Sequence, residues 1–344
     1  MSIGFRPKLR NAIATLLGMQ QTPTISPAAE RFERRYRALV SSPPGSPADG
    51  NAADGFVVQG PVTTDTERVL RALRRIYPAE VIVLSTWNDS CSDLLSALSL
   101  FCNAVVTSPR PEPAGGSNRN LQIVSTLAGI RRAQALGAIT LLKMRTDTCL
   151  LAPNVFDLYR AIEAQTDLRS CISSGLRGRI FVPQTYTKKY FPYHVSDIIM
   201  LGYAADLLNY WDVPLDTRQM SPESFSWERQ SLEKIGHLGL LPECYLGKRY
   251  ADRLIYSSGS TDSLVKYWNF LRDYFVVLDD SWFDFYWLKR PDYLQPLAVD
   301  EVVSHHFWLS LYFGGKPRAD LLQLDLADAR REGATFAYDW SCEI

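Results

Sequence analysis

Residues 138–147 read AITLLKMRTD, an almost unbroken apolar run that stops abruptly at Lys143, Arg145, Thr146 and Asp147. A run apolar on both faces and entered from Gly137 is the pattern of a fully buried strand in a parallel sheet. In open α/β sheets, ligands bind outside the carboxyl ends of the strands. A lone carboxylate beside an arginine at such an end suits a metal ion or a phosphate; the plainer alternative is a loop salt bridge. Three more polar segments follow predicted strands: Gln59-Gly60-Pro61, Trp87-Asn88-Asp89, and the turn from Ser117 to Gln122. In a parallel sheet all four lie on one edge and can converge on one ligand. Gly60 permits close backbone approach. Asn118, Arg119 and Asn120 stand at a predicted helix start, where free N–H groups and the helix dipole favour phosphate. Asp147 suits Mg²⁺ or Mn²⁺ bridging phosphate oxygens.

Other phosphate and nucleophile signatures are missing. The chain has no G-x-G-x-x-G, no G-x-x-x-x-G-K-[ST] and no G-x-S-x-G. What remains suits a nucleotide diphosphate held by one metal and a few donors. Further on, Pro192-Tyr193-His194-Val195-Ser196-Asp197 precedes an apolar run. His194, Ser196 and Asp197 on a loop suit an acceptor or sugar-binding role; a helix or strand cap and a satisfied histidine explain them equally well. Glu243, after Pro242, favours a helix dipole or acts as a general base. His305-His306 read as structural.

The elements that position these groups alternate. Gly55–Val58, Glu80–Thr86, Asn103–Thr107 and the run into Asp147 read as strands; Thr66–Ile76 and Asn120–Leu136 read as helices. This order predicts right-handed βαβ units and a mainly parallel sheet. After about residue 155 the pattern is mixed, with strand candidates at Arg179–Val182 and Asp197–Leu201 and helical ones at Asp206–Trp211 and Leu264–Phe275. Residues 40–54, rich in Pro, Gly, Ser and Ala, set an N-terminal extension (1–50) apart from a body (51–255) and an aromatic-rich, mostly helical C-terminal region (256–344).

Composition narrows the function classes. Lys+Arg and Asp+Glu are both 37, so there is no bulk basic field, which argues against a nucleic-acid partner. The six cysteines form no C-x-x-C pair, so reduced cytosolic thiols are expected rather than a zinc site. No apolar run reaches the length of a membrane span. Residues 1–19 read as an amphipathic helix, open to docking on a membrane surface or to packing on the body.

QGP after the first strand, then LSTWND, NRNLQIVSTLAG and LLKMRTD, then HVSDIIMLG, DLLNYW and PECYL, resemble in order and spacing the WavE family of lipopolysaccharide-synthesis proteins, over roughly residues 55–250. The resemblance implies a GT-A-like α/β fold, Rossmann-type, with a mainly parallel central sheet flanked by helices. It implies a cytoplasmic glycosyltransferase, free or peripheral at the inner membrane. Its donor is a nucleotide sugar; its acceptor is an oligosaccharide or lipid-linked glycan of a bacterial lipopolysaccharide core, O-antigen or capsule. GT-A enzymes carry a divalent metal on an acidic motif, often D-x-D. Here Arg145-Thr146-Asp147 stands in that position, so Arg145 itself could neutralise diphosphate charge. The expected donor site is Gln59, Gly60 and Pro61 beneath the nucleotide, Asp89 at the base or ribose, Asn118 and Arg119 at phosphate or sugar, and Lys143, Arg145 and Asp147 at the diphosphate, with the metal (Mn²⁺ or Mg²⁺) on Asp147. On the acceptor side are His194 and Ser196, with Asp197 or Glu243 as catalytic base. Two rivals stand: a nucleotidyltransferase, against which the non-basic loop QGPVTTDTE argues, and a non-catalytic degenerate fold that binds a glycan or partner, which the missing first Asp favours.

Overall fold

The structure, a computed structural model, describes residues 27–41, 53–218, 239–254, 263–289 and 302–314. After α1 (Pro27–Ser41) come β1 (Asp54–Gln59), α2 (Thr64–Ile76), β2 (Val81–Trp87), α3 (Ser92–Ser99), β3 (Ala104–Ser108), α4 (Arg119–Ala135) and β4 (Thr140–Arg145). Next are β5 (Thr148–Leu150), α5 (Val155–Glu163), α6 (Arg169–Ser173), β6 (Ile180–Pro183), β7 (Ile199–Tyr203) and α7 (Ala204–Trp211). The C-terminal part holds α8 (Pro242–Arg253), α9 (Ser263–Tyr274), β8 (Phe275–Leu278), α10 (Asp280–Phe283), β9 (Phe285–Trp287) and α11 (His305–Gly314).

Seven strands form one sheet in the order β3-β2-β1-β4-β7-β6-β8, and β5 pairs with β9 in a second, two-stranded sheet. β1 is parallel to β2 and to β4, β2 to β3, and β6 to β8, whereas β7 runs antiparallel to both its neighbours. Every residue of β1 and β2 is buried, which is why both read as continuous apolar runs. The expected mixed α/β, Rossmann-like architecture therefore stands. From β1 the chain builds outward to β3 and then crosses back to β4 on the other side of β1. The order reverses between β1 and β4, the position where such sheets open a ligand crevice.

Helix α4 positions one side of that crevice. It lies so close to the sheet that a Cβ on Gly129 would fall 2.4 Å from Cγ1 of Val57. Ser85 Oγ also donates to the Ser125 carbonyl at 2.7 Å.

Three features differ from the sequence pattern. The strand predicted to run into Asp147 stops at Arg145, because the side chains of Thr146 and Asp147 are drawn into turn contacts with Pro61 and Arg145. β7 is antiparallel, and periodicity carries no information on strand direction. The segment after residue 255 also supplies two strands: β8 extends the central sheet and β9 pairs with β5. Of the N-terminal extension, α1 packs on the body, with the Phe32 ring stacked on Tyr286 at 4.2 Å between centroids. The amphipathic stretch 1–19 lies outside the described residues. Among those described, no helix is long and apolar enough to cross a membrane.

Candidate functional site

A cleft of about 220 Å³ opens at the carboxyl ends of β1 and β4. Gln59, Gly60 and Pro61 from the end of β1 meet Thr146 from the end of β4 there. Ser117, Asn118, Leu121 and Gln122, at the start of α4, form one side. Trp87, Arg110, Arg145 and Lys289 complete the lining.

The backbone of this cleft is closely specified. Gly60 has φ +129°, and a Cβ there would meet Thr146 Oγ1 at 2.9 Å. Thr146 N donates to the Gln59 carbonyl at 3.0 Å, and Thr146 Oγ1 donates to the Pro61 carbonyl at 2.7 Å. The Gln59 side chain turns into the core, where its Oε1 accepts from Ser125 Oγ at 2.8 Å. Ser117 and Asn118 both sit in the left-handed region, at φ 51° and 59°. Non-glycine residues held there cost about 1–3 kcal/mol each and concentrate at functional sites. The Asn118 side chain makes no capping hydrogen bond, so the first turn of α4 keeps its anion-favouring character.

Among the described residues, the charged groups lining the cleft are Arg110, Arg145 and Lys289, and no carboxylate lines it. Each arginine is oriented by an acid set back from the cleft. Arg145 donates Nε to Asp147 Oδ1 at 3.0 Å and Nη2 to Oδ2 at 3.1 Å, a bidentate pair. Burial works to raise the Asp147 carboxyl, but Arg145, with Trp287 and Lys289 adding, holds it below the usual carboxylate range. Arg110 lies over the Trp87 ring, 5.2 Å from its centroid, and pairs with Asp89 at 2.7 Å.

The expected divalent metal on Asp147 finds a poor donor set. Mg²⁺ and Mn²⁺ are hard ions that want about six oxygens. Both Asp147 oxygens already accept from Arg145, and among the described residues no group of three or more His, Cys, Asp or Glu gathers to hold a metal. The residues present do not fit a protein-held metal.

Of the residues singled out by sequence, Gln59, Gly60, Pro61, Asn118 and Arg145 line the cleft together. Asp147 and Asp89 are not among the lining residues; they pair with Arg145 and Arg110, which are. Arg119 is fully buried and turned elsewhere: it donates to the carbonyls of Gly116, Gly239 and Leu240 and pairs with Asp216 at 3.1 Å. Lys143 is also fully buried; its Nζ donates to the Asp197 carbonyl and lies 4.6 Å from the centre of the Trp211 ring. Burial pulls the Lys143 ammonium down to about 8, against the pull of the Asp197 charge.

His194, Ser196 and Asp197 are buried and do not line the cleft. His194 Nδ1 lies 2.8 Å from the Tyr186 carbonyl, and Nε2 lies 3.8 Å from Glu243. Burial, with Lys188 adding, pulls the imidazole down to about 3, so it is neutral at physiological pH. Asp197 comes two residues before Ile199, which pairs with Met144, so it stands at the same sheet edge as Arg145. Its charge acts on both Lys143 and Arg145, and that of Glu243 acts on Lys143.

Thr146 and Gln122 fall within the segments expected to converge, whereas sequence reasoning missed Arg110 and Lys289. Arg110 carried a signal: it is the basic residue in the loop after a parallel strand on the same edge. Lys289 carried none, because it reaches the cleft through the pairing of β5 with β9, far apart in sequence.

The Rossmann-like sheet thus carries a cationic cleft at its switch point. The family model for WavE lipopolysaccharide synthesis matches residues 55–238. The chain belongs to the WavE lipopolysaccharide synthesis family, which sets it in lipopolysaccharide synthesis. No curated protein matches it.

Proposed function

We propose that the chain is a glycosyltransferase that moves a sugar from a nucleotide sugar onto a growing lipopolysaccharide-type glycan. One observation carries the reading: among the described residues the switch-point cleft is lined by Arg110, Arg145 and Lys289 and by no acid, a lining that favours a polyphosphate. Family membership supplies the pathway.

In this reading the nucleoside rests on Gln59, Gly60 and Pro61 with its base toward Trp87. Asn118 and the first turn of α4 face the diphosphate. The acceptor oxygen bonds to the anomeric carbon as that carbon's bond to the diphosphate oxygen breaks. The electron pair leaves with the nucleoside diphosphate, and the cations of the cleft meet the charge that develops there. An inverting displacement needs a base for the acceptor proton. Asp197 is the first candidate, because it stands on the edge beside Arg145; Glu243 is the second. His194 and Ser196, both buried, shape the segment that carries Asp197.

The test is a transfer assay with nucleotide sugars of several bases and a truncated lipopolysaccharide acceptor, read by mass spectrometry. A sugar increment on the acceptor with stoichiometric nucleoside diphosphate is the expected result. Pyrophosphate release instead would make the chain a nucleotidyltransferase. Intact donor throughout would leave a binding protein.

A further inference from the structure

We propose that this cleft neutralises the leaving diphosphate with Arg145, Arg110 and Lys289 and needs no divalent metal, Asp147 serving to aim Arg145. The inference rests on the nucleotide-sugar reading above and names how that site handles charge.

A guanidinium has five N–H groups. Asp147 takes two from Arg145, one on Nε and one on Nη2. Three remain, and Arg145 lines the cleft. The fork cannot rotate freely, because two parallel hydrogen bonds fix its plane and the Trp287 ring lies 5.4 Å from its Cζ. A fixed fork with unspent donors is the geometry that binds phosphate oxygens in pairs. Asp147 is itself anchored, since its carbonyl accepts from Leu288 N at 2.8 Å, which ties the turn after β4 to the end of β9.

The second cation is held more loosely. Arg110 is paired by Asp89 at 2.7 Å and backed by the Trp87 ring. That pair is exposed, so water screens it and it exchanges partners at little cost. Lys289, an exposed residue, adds a third charge to the lining. The alternative, a metal on Asp147, would require the ion to take oxygens from Arg145 and to leave that guanidinium unpaired and partly buried. Taking one member from a partly buried pair is unfavourable. The arrangement therefore favours Asp147 as a positioning residue over Asp147 as a metal ligand.

The experiment is calorimetric titration of UDP and of GDP into the full-length protein, in excess EDTA and again in Mn²⁺. The wild type should bind one of them with the same affinity in both buffers. Arg145→Gln should lose ~10-fold or more in both, which is the scale of a charge-assisted hydrogen bond. Lys289→Gln, at an exposed position that no folding defect would confound, should weaken binding by a smaller factor in both. Asp147→Asn should stay insensitive to Mn²⁺. Binding that appears only with Mn²⁺, or a Mn²⁺ enhancement present in the wild type and absent in Asp147→Asn, would overturn the proposal while leaving the transferase reading intact. Absence of binding to either nucleotide in both buffers would overturn the proposal together with the nucleotide-sugar reading on which it rests.

Discussion

The Cβ that Gly60 lacks would stand 2.9 Å from Oγ1 of Thr146. These two residues close the junction where β1 and β4 end, and the cleft lies over that junction. At φ +129° the Gly60 backbone is also in a region that L side chains rarely adopt. Gly60→Ala should therefore destabilise the fold by about 1–3 kcal/mol through strain and the displaced threonine. It should also weaken nucleotide binding. Denaturant unfolding and a binding titration on the same preparation check both.

Asp197 should matter for chemistry and little for binding. Asp197→Asn keeps the side chain's shape and removes its charge. With Asp197 as general base, the transfer rate should fall by about 10²–10⁴-fold at saturating donor while donor affinity stays close to wild type. A loss confined to donor affinity would assign Asp197 to the donor site. An unchanged rate would pass the role to Glu243.

Arg119 belongs to the scaffold. It pairs with Asp216 at 3.1 Å and donates to the carbonyls of Gly116, Gly239 and Leu240, tying the start of α4 to residues 216 and 239–240. Arg119→Gln should cost about 3 kcal/mol of stability, as expected for a broken buried pair. Its effect on nucleotide affinity should be far smaller than that of Arg145→Gln. Thermal unfolding and titration of the two variants side by side decide this.

His194 makes the fold acid-sensitive. Its pKa falls to about 3 in the folded chain, below the ordinary histidine value. On acidification the unfolded chain takes up this proton first. The stabilisation is complete above pH ~6.5 and is lost from there down toward the folded pKa, at up to ~1.4 kcal/mol per pH unit. The stability difference between wild type and His194→Gln should shrink over this window and be flat above it. Urea unfolding at a series of pH values measures it.

The sheet was legible because β1, β2 and β4 are buried on both faces and so announce themselves as apolar runs. The edge on which Gln59, Gly60 and Arg145 meet followed from topology alone. What side chains do at that edge was less legible. Arg119 and Lys143 have the composition of phosphate ligands, yet both are fully buried and engaged with backbone carbonyls. A sequence shows that a cation follows a strand; it does not show which face the cation takes or which acceptors reach it first. Lys289 lay beyond reach for a different reason, since only the antiparallel pairing of Leu150 with Phe285 and Thr148 with Trp287 brings it to the cleft.

The most direct test of the account is a thermal-shift panel of nucleoside diphosphates, with CMP as a monophosphate control, on wild type and Arg145→Gln. A ligand that binds the native state alone raises Tm by mass action. One diphosphate should raise the wild-type Tm by several degrees, and the shift should shrink sharply in Arg145→Gln. No shift with any diphosphate, in wild-type protein that unfolds cooperatively, would contradict the nucleotide-sugar site and leave this family member a non-catalytic binder.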